Sequence, residues 1–418
     1  MTPPDLIRYV SDGFETAKAG QAAEIYSVVS RYFDQGLLER RSHYAFGWII
    51  YYALHQADAH DIDNRKRMLA RYLNLEVARP HKLHSMILTE AIRLYKDAAE
   101  NAYLIKSRKL PLPSNGTAPA FSLVRFVNLW NLANLREGDW RRKEKDGKPL
   151  NSTVERLITS YVNELETSRQ TPPPEFLSLI ENARIAYPDS SNLLSQIAIT
   201  DNLMGNTEEA TDSLRNAILI SPAKFFLWSR LASMIDKDKE PKLYMSLLYK
   251  ALSLPGQEDY KGRIRLSLAE AWMSLKAYPQ ALYELEAIKS LYGRNGWHLP
   301  PRFTEMENAI PPSTRPVDPL PAYRRITSLA DDFIYSSLPE TAVTKNYHKE
   351  SSVNHDRYGN TRRLPAAWRV ADGNGNNYWF TPSRFGIPDN LPVGTPLTVR
   401  IHNGKIVNAR IKNKDLNG

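Results

Sequence analysis

The 418-residue sequence contains no cysteine. That absence excludes disulfides, thiolate metal sites and thiol nucleophiles, so a metal would fall to the nine histidines and the carboxylates. The longest apolar run, Ala45 to Leu54, is too short to span a bilayer. The opening Met1-Thr2-Pro3-Pro4-Asp5 has no basic region followed by an apolar core, so no secretory leader is expected and the default address is cytoplasmic, away from membranes. Phosphate loops are also missing. Gly373-Asn374-Gly375 lacks the third glycine and the following helix of a dinucleotide motif, and no glycine-rich loop ends in Lys-Ser or Lys-Thr. His348, His355 and His402 have no paired carboxylates beside them to make a general acid and base. His55, Asp58, His60, Asp61 and Asp63 crowd together, but not at the spacing of a ligand motif, and read as a polar helix end and loop. The expectation is a protein that is not an enzyme, with no catalytic residue, cofactor or metal.

What is present is helical periodicity. A chain of this length exceeds one ordinary hydrophobic core, and a repeat array removes that limit. Pro188 and Pro222 stand 34 residues apart, and between them Ala198, Gly205, Ala210, Leu214 and Ala217 punctuate two helical stretches. The same register recurs after a shift of 34: Trp228, Leu231 and Ala232 answer Leu194, Ile197 and Ala198, while Leu248 and Ala251 answer Leu214 and Ala217. A third unit, with Leu268, Ala269, Trp272, Ala281, Leu285 and Ile288, fits after a three-residue slip at Pro255-Gly256-Gln257. Small residues at fixed positions are what closely packed helices require. These residues, within about 174–290, resemble tetratricopeptide repeats. The resemblance implies an α-solenoid of stacked helix pairs whose groove holds a protein partner.

Upstream, Asp5 to Lys109 shows the same three-and-four spacing in about five segments, with breaks near Gly20, Gly36 to Ser42, His60 to Asp63 and Arg79-Pro80. The aromatics Tyr44, Phe46, Trp48, Tyr51 and Tyr52 lie at helical spacing and read as core. Further helices are expected over Phe121 to Leu135, Thr153 to Leu165 and Pro174 to Ala186, with a charged hairpin-like connection over Asp139 to Lys148. This region reads either as degenerate repeats or as a helical domain capping the array. Beyond the repeats, seven prolines fall between Pro300 and Pro321, a density that argues for a linker or extended strap and against a regular helix. Tyr323 to Ser337 is expected to form a short helix, with Ile326, Leu329, Phe333 and Ile334 apolar, that caps the last repeat.

From Thr341 the period changes to two. Leu397 to Ile401 and Ile406 to Ile411 alternate around His402-Asn403-Gly404-Lys405, a hairpin signal, and two more strands, Ala367 to Ala371 and Asn377 to Thr381, flank a turn-rich Asp372 to Asn376. Val343 to Tyr347 makes a fifth. In this order the tail resembles a cold-shock or related OB-fold barrel, departing from it by an insertion over about Lys349 to Pro365 and by an aromatic motif reduced to Trp368. The fold class is therefore mostly α, a solenoid followed by a small OB-like β-barrel, with regions 1–170, 171–295, 296–340 and 341–418.

The tail from Pro339 carries 12 Lys plus Arg against 6 Asp plus Glu, most of the chain's net charge of +9. The resemblance implies that Trp368, Tyr378, Trp379, Phe380 and Phe385 offer stacking faces, and that Arg362, Arg363, Arg369 and Arg384, with Arg357, meet phosphates of RNA or single-stranded DNA. Trp368 and Trp379 are the expected stackers, with a one-residue change of register exchanging Trp379 for Tyr378 and Phe380. The reading is a scaffold, with a protein in the groove and nucleic acid on the barrel, of a kind that suits bacterial defence or RNA metabolism. The alternative is a pure protein-protein adaptor with a structural barrel.

Overall fold

The computed structural model describes residues 2–106, 110, 117, 120–355 and 361–412. The chain divides into two compact units, residues 1–188 and 189–418. The division falls later than the expected boundary at 170, and the second unit runs without a break from the repeats to the tail.

The first unit holds α1 (Pro3–Thr16), α2 (Ala22–Asp34), α3 (His43–Gln56), α4 (Ile62–Leu73), α5 (Lys82–Lys106), α6 (Leu123–Trp130), α7 (Glu137–Trp140), α8 (Thr153–Ser168) and α9 (Pro174–Ala186). Breaks come where the chain needs positive φ, as at Gly20 and Gly36. The charged connection is a true hairpin, β1 (Lys143–Lys145) against β2 (Lys148–Leu150), turning through Asp146 and Gly147, both at positive φ. α5 runs for 25 residues and packs against α3, α4, α6 and α8. A unit gathered on one long helix is a helical domain rather than a row of equal pairs. Phe46 and Tyr51 are core, while Tyr44 is exposed. Asp61 caps α4 by accepting from the Asn64 backbone N–H, the polar helix end expected of that His/Asp cluster. The side chain of Glu155 accepts from the Ser152 N–H while Ser152 Oγ accepts from the Glu155 N–H, a capping box that starts α8.

The second unit opens with three helix pairs: α10 (Ser191–Leu203) with α11 (Thr207–Ile220), α12 (Phe225–Ala232) with α13 (Pro241–Ser253), and α14 (Gly262–Ser274) with α15 (Tyr278–Asn295). Ala198, Ala210, Ala217, Ala232, Ala251, Ala269 and Ala281 are all completely buried in one core with Leu214, Trp228, Leu248, Leu268, Leu285 and Ile288. Each alanine removes the bulk that would hold two helix axes apart, and the larger residues fill the grooves so created. Gly205 at φ 85° supplies the reversal between α10 and α11.

The proline-rich stretch is not a linker. α16 (Pro301–Ala309) and α17 (Leu320–Tyr335) form within it because their prolines occupy the cap and the first turn, where a missing N–H costs nothing. α17 meets the last pair through Tyr323, but most of it lies elsewhere. It packs chiefly on α13 and also touches α11, burying Tyr323, Ala330, Ile334 and Tyr335 and leaving Leu329 37% exposed. Its attachments are polar as well as apolar. Ser246 Oγ donates to the Ile326 carbonyl at 2.7 Å and accepts from the Ala330 N–H at 2.9 Å. Lys250 pairs with Asp331 at 2.8 Å, and Arg215 donates to the Phe333 carbonyl. Tyr323 stacks on Tyr249 with ring centroids 4.5 Å apart, accepts from Trp272 Nε1 at 2.9 Å and donates to Glu284 Oε1 at 2.8 Å. Arg265 holds the other Glu284 oxygen at 2.8 Å. Burial still dominates that carboxyl and pushes its pKa above the usual range, against the opposing pull of Arg265.

Strands follow directly: β3 (Glu340–Lys349), β4 (Ser352–His355), β5 (Thr361–Leu364), β6 (Ala367–Asp372), β7 (Asn377–Phe380), β8 (Pro396–His402) and β9 (Lys405–Ile411). Five of them form one antiparallel sheet, order β7-β6-β3-β8-β9, curled into a half-barrel, and the insertion is a separate β4–β5 hairpin. The β8–β9 turn runs through Asn403 and Gly404, both at positive φ, as the Asn-Gly signal requires. Val343, Trp368, Val370, Phe380, Leu397, Val399 and Ala409 fill the interior, whereas Val407 faces the other way and joins the core of the helix pairs.

Two measurements test this packing. Ala217→Trp should cost about 1 to 3 kcal/mol or more by overpacking, read as a lowered denaturation midpoint; unchanged stability would remove the close helix contact. Tyr323→Phe leaves the Trp272 N–H and one Glu284 oxygen without their partner, so about 1 to 3 kcal/mol should be lost, together with early proteolytic cleavage near α17. A variant as protease-resistant as the parent would mean that apolar contact alone holds that helix.

Candidate functional site

Side-chain alternation in β3 is interrupted once. The β3–β6 pairing runs from Lys345 opposite Val370 to Tyr347 opposite Arg369, so Asn346 is the extra residue of a bulge. Its effect is to turn Asn346 and Tyr347 to solvent together while Lys345 stays inside. Arg369 and Trp379 are themselves cross-strand partners, and Tyr347, Arg369 and Trp379 therefore form a row across three adjacent strands. Trp379 is 52% and Tyr347 46% exposed, with ring centroids 5.7 Å apart in an edge-to-face arrangement. The Arg369 guanidinium lies 5.6 Å over the Tyr347 ring and its Nε donates to Asn346 Oδ1 at 3.2 Å. Asn346 Nδ2 in turn donates to Asn377 Oδ1 at 3.0 Å. A planar cation held by an aromatic ring and one amide has further N–H donors beyond the one given to Asn346.

The opposite face of the same strands is closed. Trp368 is completely buried and Phe380 is 7% exposed, 5.8 Å apart in edge-to-face contact, so neither presents a ring to a ligand. Trp368 and Phe380, expected to stack on bases, are instead part of the sheet's core. Strand parity decides this: residues 368 and 380 pair with one another on the inside, and residues 369 and 379 pair outside. Lys345, also inside, sets its Nζ 4.0 Å from the Trp368 ring centre and donates to the Leu391 carbonyl, and burial lowers its pKa. Tyr378 is half-buried against the core and donates to Asp372 Oδ2 at 3.3 Å. Arg362 and Arg363 lie on the backbone of β5, but their side chains, like all of Arg357, fall outside the described residues.

Beside the exposed row is a cleft of about 350 Å³ between the α11–α12 turn and the half-barrel. Lys224 lines it from the turn, Trp379, Arg384 and Phe385 from the end of β7 and the following 3-10 turn, and Lys405 with Val407 from β9. No carboxylate is among its lining residues. The turn is fixed from beneath: Trp228 Nε1 donates to the Pro222 carbonyl at 2.8 Å, and Ser191 Oγ meets Ser221 Oγ at 3.0 Å. Lys224 Nζ donates to Ser191 Oγ and Asn192 Oδ1, both at 2.9 Å. Both partners are neutral, and burial depresses the Lys224 pKa.

Of the residues expected to act, the fold brings Trp379, Arg369, Arg384 and Phe385 together. The additions are Tyr347, Lys224 and Lys405. Lys405 stands next to the Asn-Gly turn already visible in the sequence, and the Tyr347 position had been placed on a strand. Lys224 had no such signal, because only the fold carries it to the sheet.

Residues 198–330 are similar to a domain of unknown function, DUF7017. That match begins within α10, takes in the helix pairs from there, all of α16 and most of α17, and stops before β3. No curated protein matches the chain. Among the described residues, no helix is long and apolar enough to cross a membrane and no cluster of three His, Asp or Glu side chains is placed to hold a metal.

The two tryptophans separate the site from its support. Trp368→Ala should cost about 3 to 5 kcal/mol as a large-to-small change in a filled core, whereas Trp379→Ala should stay within about 0.5 kcal/mol of the parent in urea denaturation. Equal losses would show that the outer face is structural too.

Proposed function

We propose that this protein is a non-catalytic scaffold whose half-barrel binds single-stranded nucleic acid, RNA or DNA, while its helix pairs hold a protein partner. The observation that carries the reading is the row Tyr347, Arg369 and Trp379, an aromatic-cation-aromatic surface turned to solvent on the strands that follow one another in the sheet. In this reading the sheet is an OB-like barrel of the cold-shock kind, with β3, β6, β7, β8 and β9 as its five strands. OB-folds bind oligonucleotides on the face of the second and third strands and through the loop between the fourth and fifth. Those positions here carry Arg369, Trp379 and Lys405. Stacking supplies sequence-tolerant energy, and the cations track the phosphates.

The helix pairs are read as tetratricopeptide-like repeats. α17 already covers part of α13 and α11, so a partner would use surface that α17 leaves open, where Tyr260 and Leu275 are exposed. A second reading, a pure protein-protein adaptor, draws on Val407: a sheet that lends a side chain to the helical core has a structural reason to exist.

Oligonucleotide titrations at several salt concentrations decide between them. Nucleic-acid binding predicts an affinity that falls steeply with salt as counterions return to the phosphates. Trp379→Ala should then lose about 1 to 3 kcal/mol of affinity on oligo-U and oligo-A alike. Absence of binding to any single strand at low salt leaves the adaptor.

A further inference from the structure

We propose that the cleft between the α11–α12 turn and the half-barrel is a nucleotide subsite, taking one base and its phosphate, with Lys224 of the helix pairs as a phosphate ligand. This rests on the reading of the half-barrel as a single-strand binder and adds to it a contact from outside the sheet.

Size sets the occupant. A volume of about 350 Å³ is at the lower end of small-molecule sites and suits a single nucleotide unit rather than a continuous groove. Its walls divide by chemistry. Trp379 offers an exposed ring shared with the outer row, and Ile220 and Phe385 add apolar surface, which together suit a base. Lys224, Arg384 and Lys405 surround the same space with positive charge and face no lining carboxylate. None of the three is paired with an acidic side chain among the described residues.

Lys224 is the telling member. An ammonium has three donors and no acceptor. Two of its donors are used on Ser191 Oγ and Asn192 Oδ1, which fix the head without neutralising it, and the third is left for an anion. A partly desolvated cation with only neutral partners gains more from a phosphate than a fully hydrated one, because much of its hydration has already been given up. The positioning is preset: Trp228 and Ser191 hold the Pro222 turn on which Lys224 stands. Lysine on a fixed turn and lysine beside a β-hairpin turn thus converge on one cavity from remote parts of the chain.

The test uses the full chain and a labelled oligo-U probe, with uridine monophosphate and uridine as competitors. Lys224→Gln keeps hydrogen-bonding capacity toward Ser191 and Asn192, so the fold is expected to stand, and circular dichroism with a melting curve checks it. In that variant and in Lys405→Gln the log–log salt slope of binding should each fall by about 1, and Lys224→Arg should restore it. The monophosphate should compete with the probe and uridine should not, with the difference lost in Lys224→Gln. If the parent binds oligo-U and loses it on Trp379→Ala or Arg369→Ala, yet both lysine variants keep the parent slope, the cleft is not a subsite and the sheet reading survives alone. If a poly-glutamate peptide competes as well as the monophosphate, the cleft is a general anion seat and the base-specific part of the proposal fails. If the parent binds no oligonucleotide, the sheet reading itself falls, and the subsite with it.

Discussion

Tyr323 is the point on which the second unit turns. Its hydroxyl sits between a tryptophan donor and a buried carboxylate, and its ring lies flat on Tyr249. A buried hydroxyl bonded on both sides specifies one position along α13 and no other, since a slip by one turn would strand the Trp272 N–H and one Glu284 oxygen in a dry environment. Fixing α17 fixes what comes next. β3 begins at Glu340, five residues past the end of the helix at Tyr335, too short a connection for the sheet to wander. The start of the sheet is therefore held near a polar contact within the helical array.

Much of this was readable in the chain. The recurrence of alanine at a period of 34 placed helix contacts correctly because close packing tolerates few alternatives to a small side chain, and alternation with Asn403-Gly404 placed the strands. What failed did so for identifiable reasons. Proline density argues against helix, yet Pro301, Pro319 and Pro321 sit at helix starts, where the residue is favoured, so position matters and density does not. α17 reaches the last pair only through Tyr323 and lies chiefly on α13, because an amphipathic stripe names a buried face without naming what buries it.

The site itself was half legible. Sequence pointed to the aromatic-rich strands but could not choose between Trp368 and Trp379 as ligand faces, because consecutive aromatics satisfy either parity and a single bulge at Asn346 changes the count. Lys224 was beyond reach in principle: nothing about a lysine after Pro222-Ala223 announces that a sheet more than a hundred residues later will meet it. Similarity to DUF7017 over residues 198–330 covers Lys224 and most of α17 and stops short of the sheet.

Val407 gives the second unit an indivisible character. Its side chain leaves the sheet to complete a core built from helices, so the two architectures share atoms of one interior. Removing the sheet would open a hole among the helices, and removing the helices would bare an apolar residue on the sheet. Melting of the two should therefore be coupled, and a ligand that grips the sheet should raise the stability of the helix pairs by mass action, although it touches none of their buried residues.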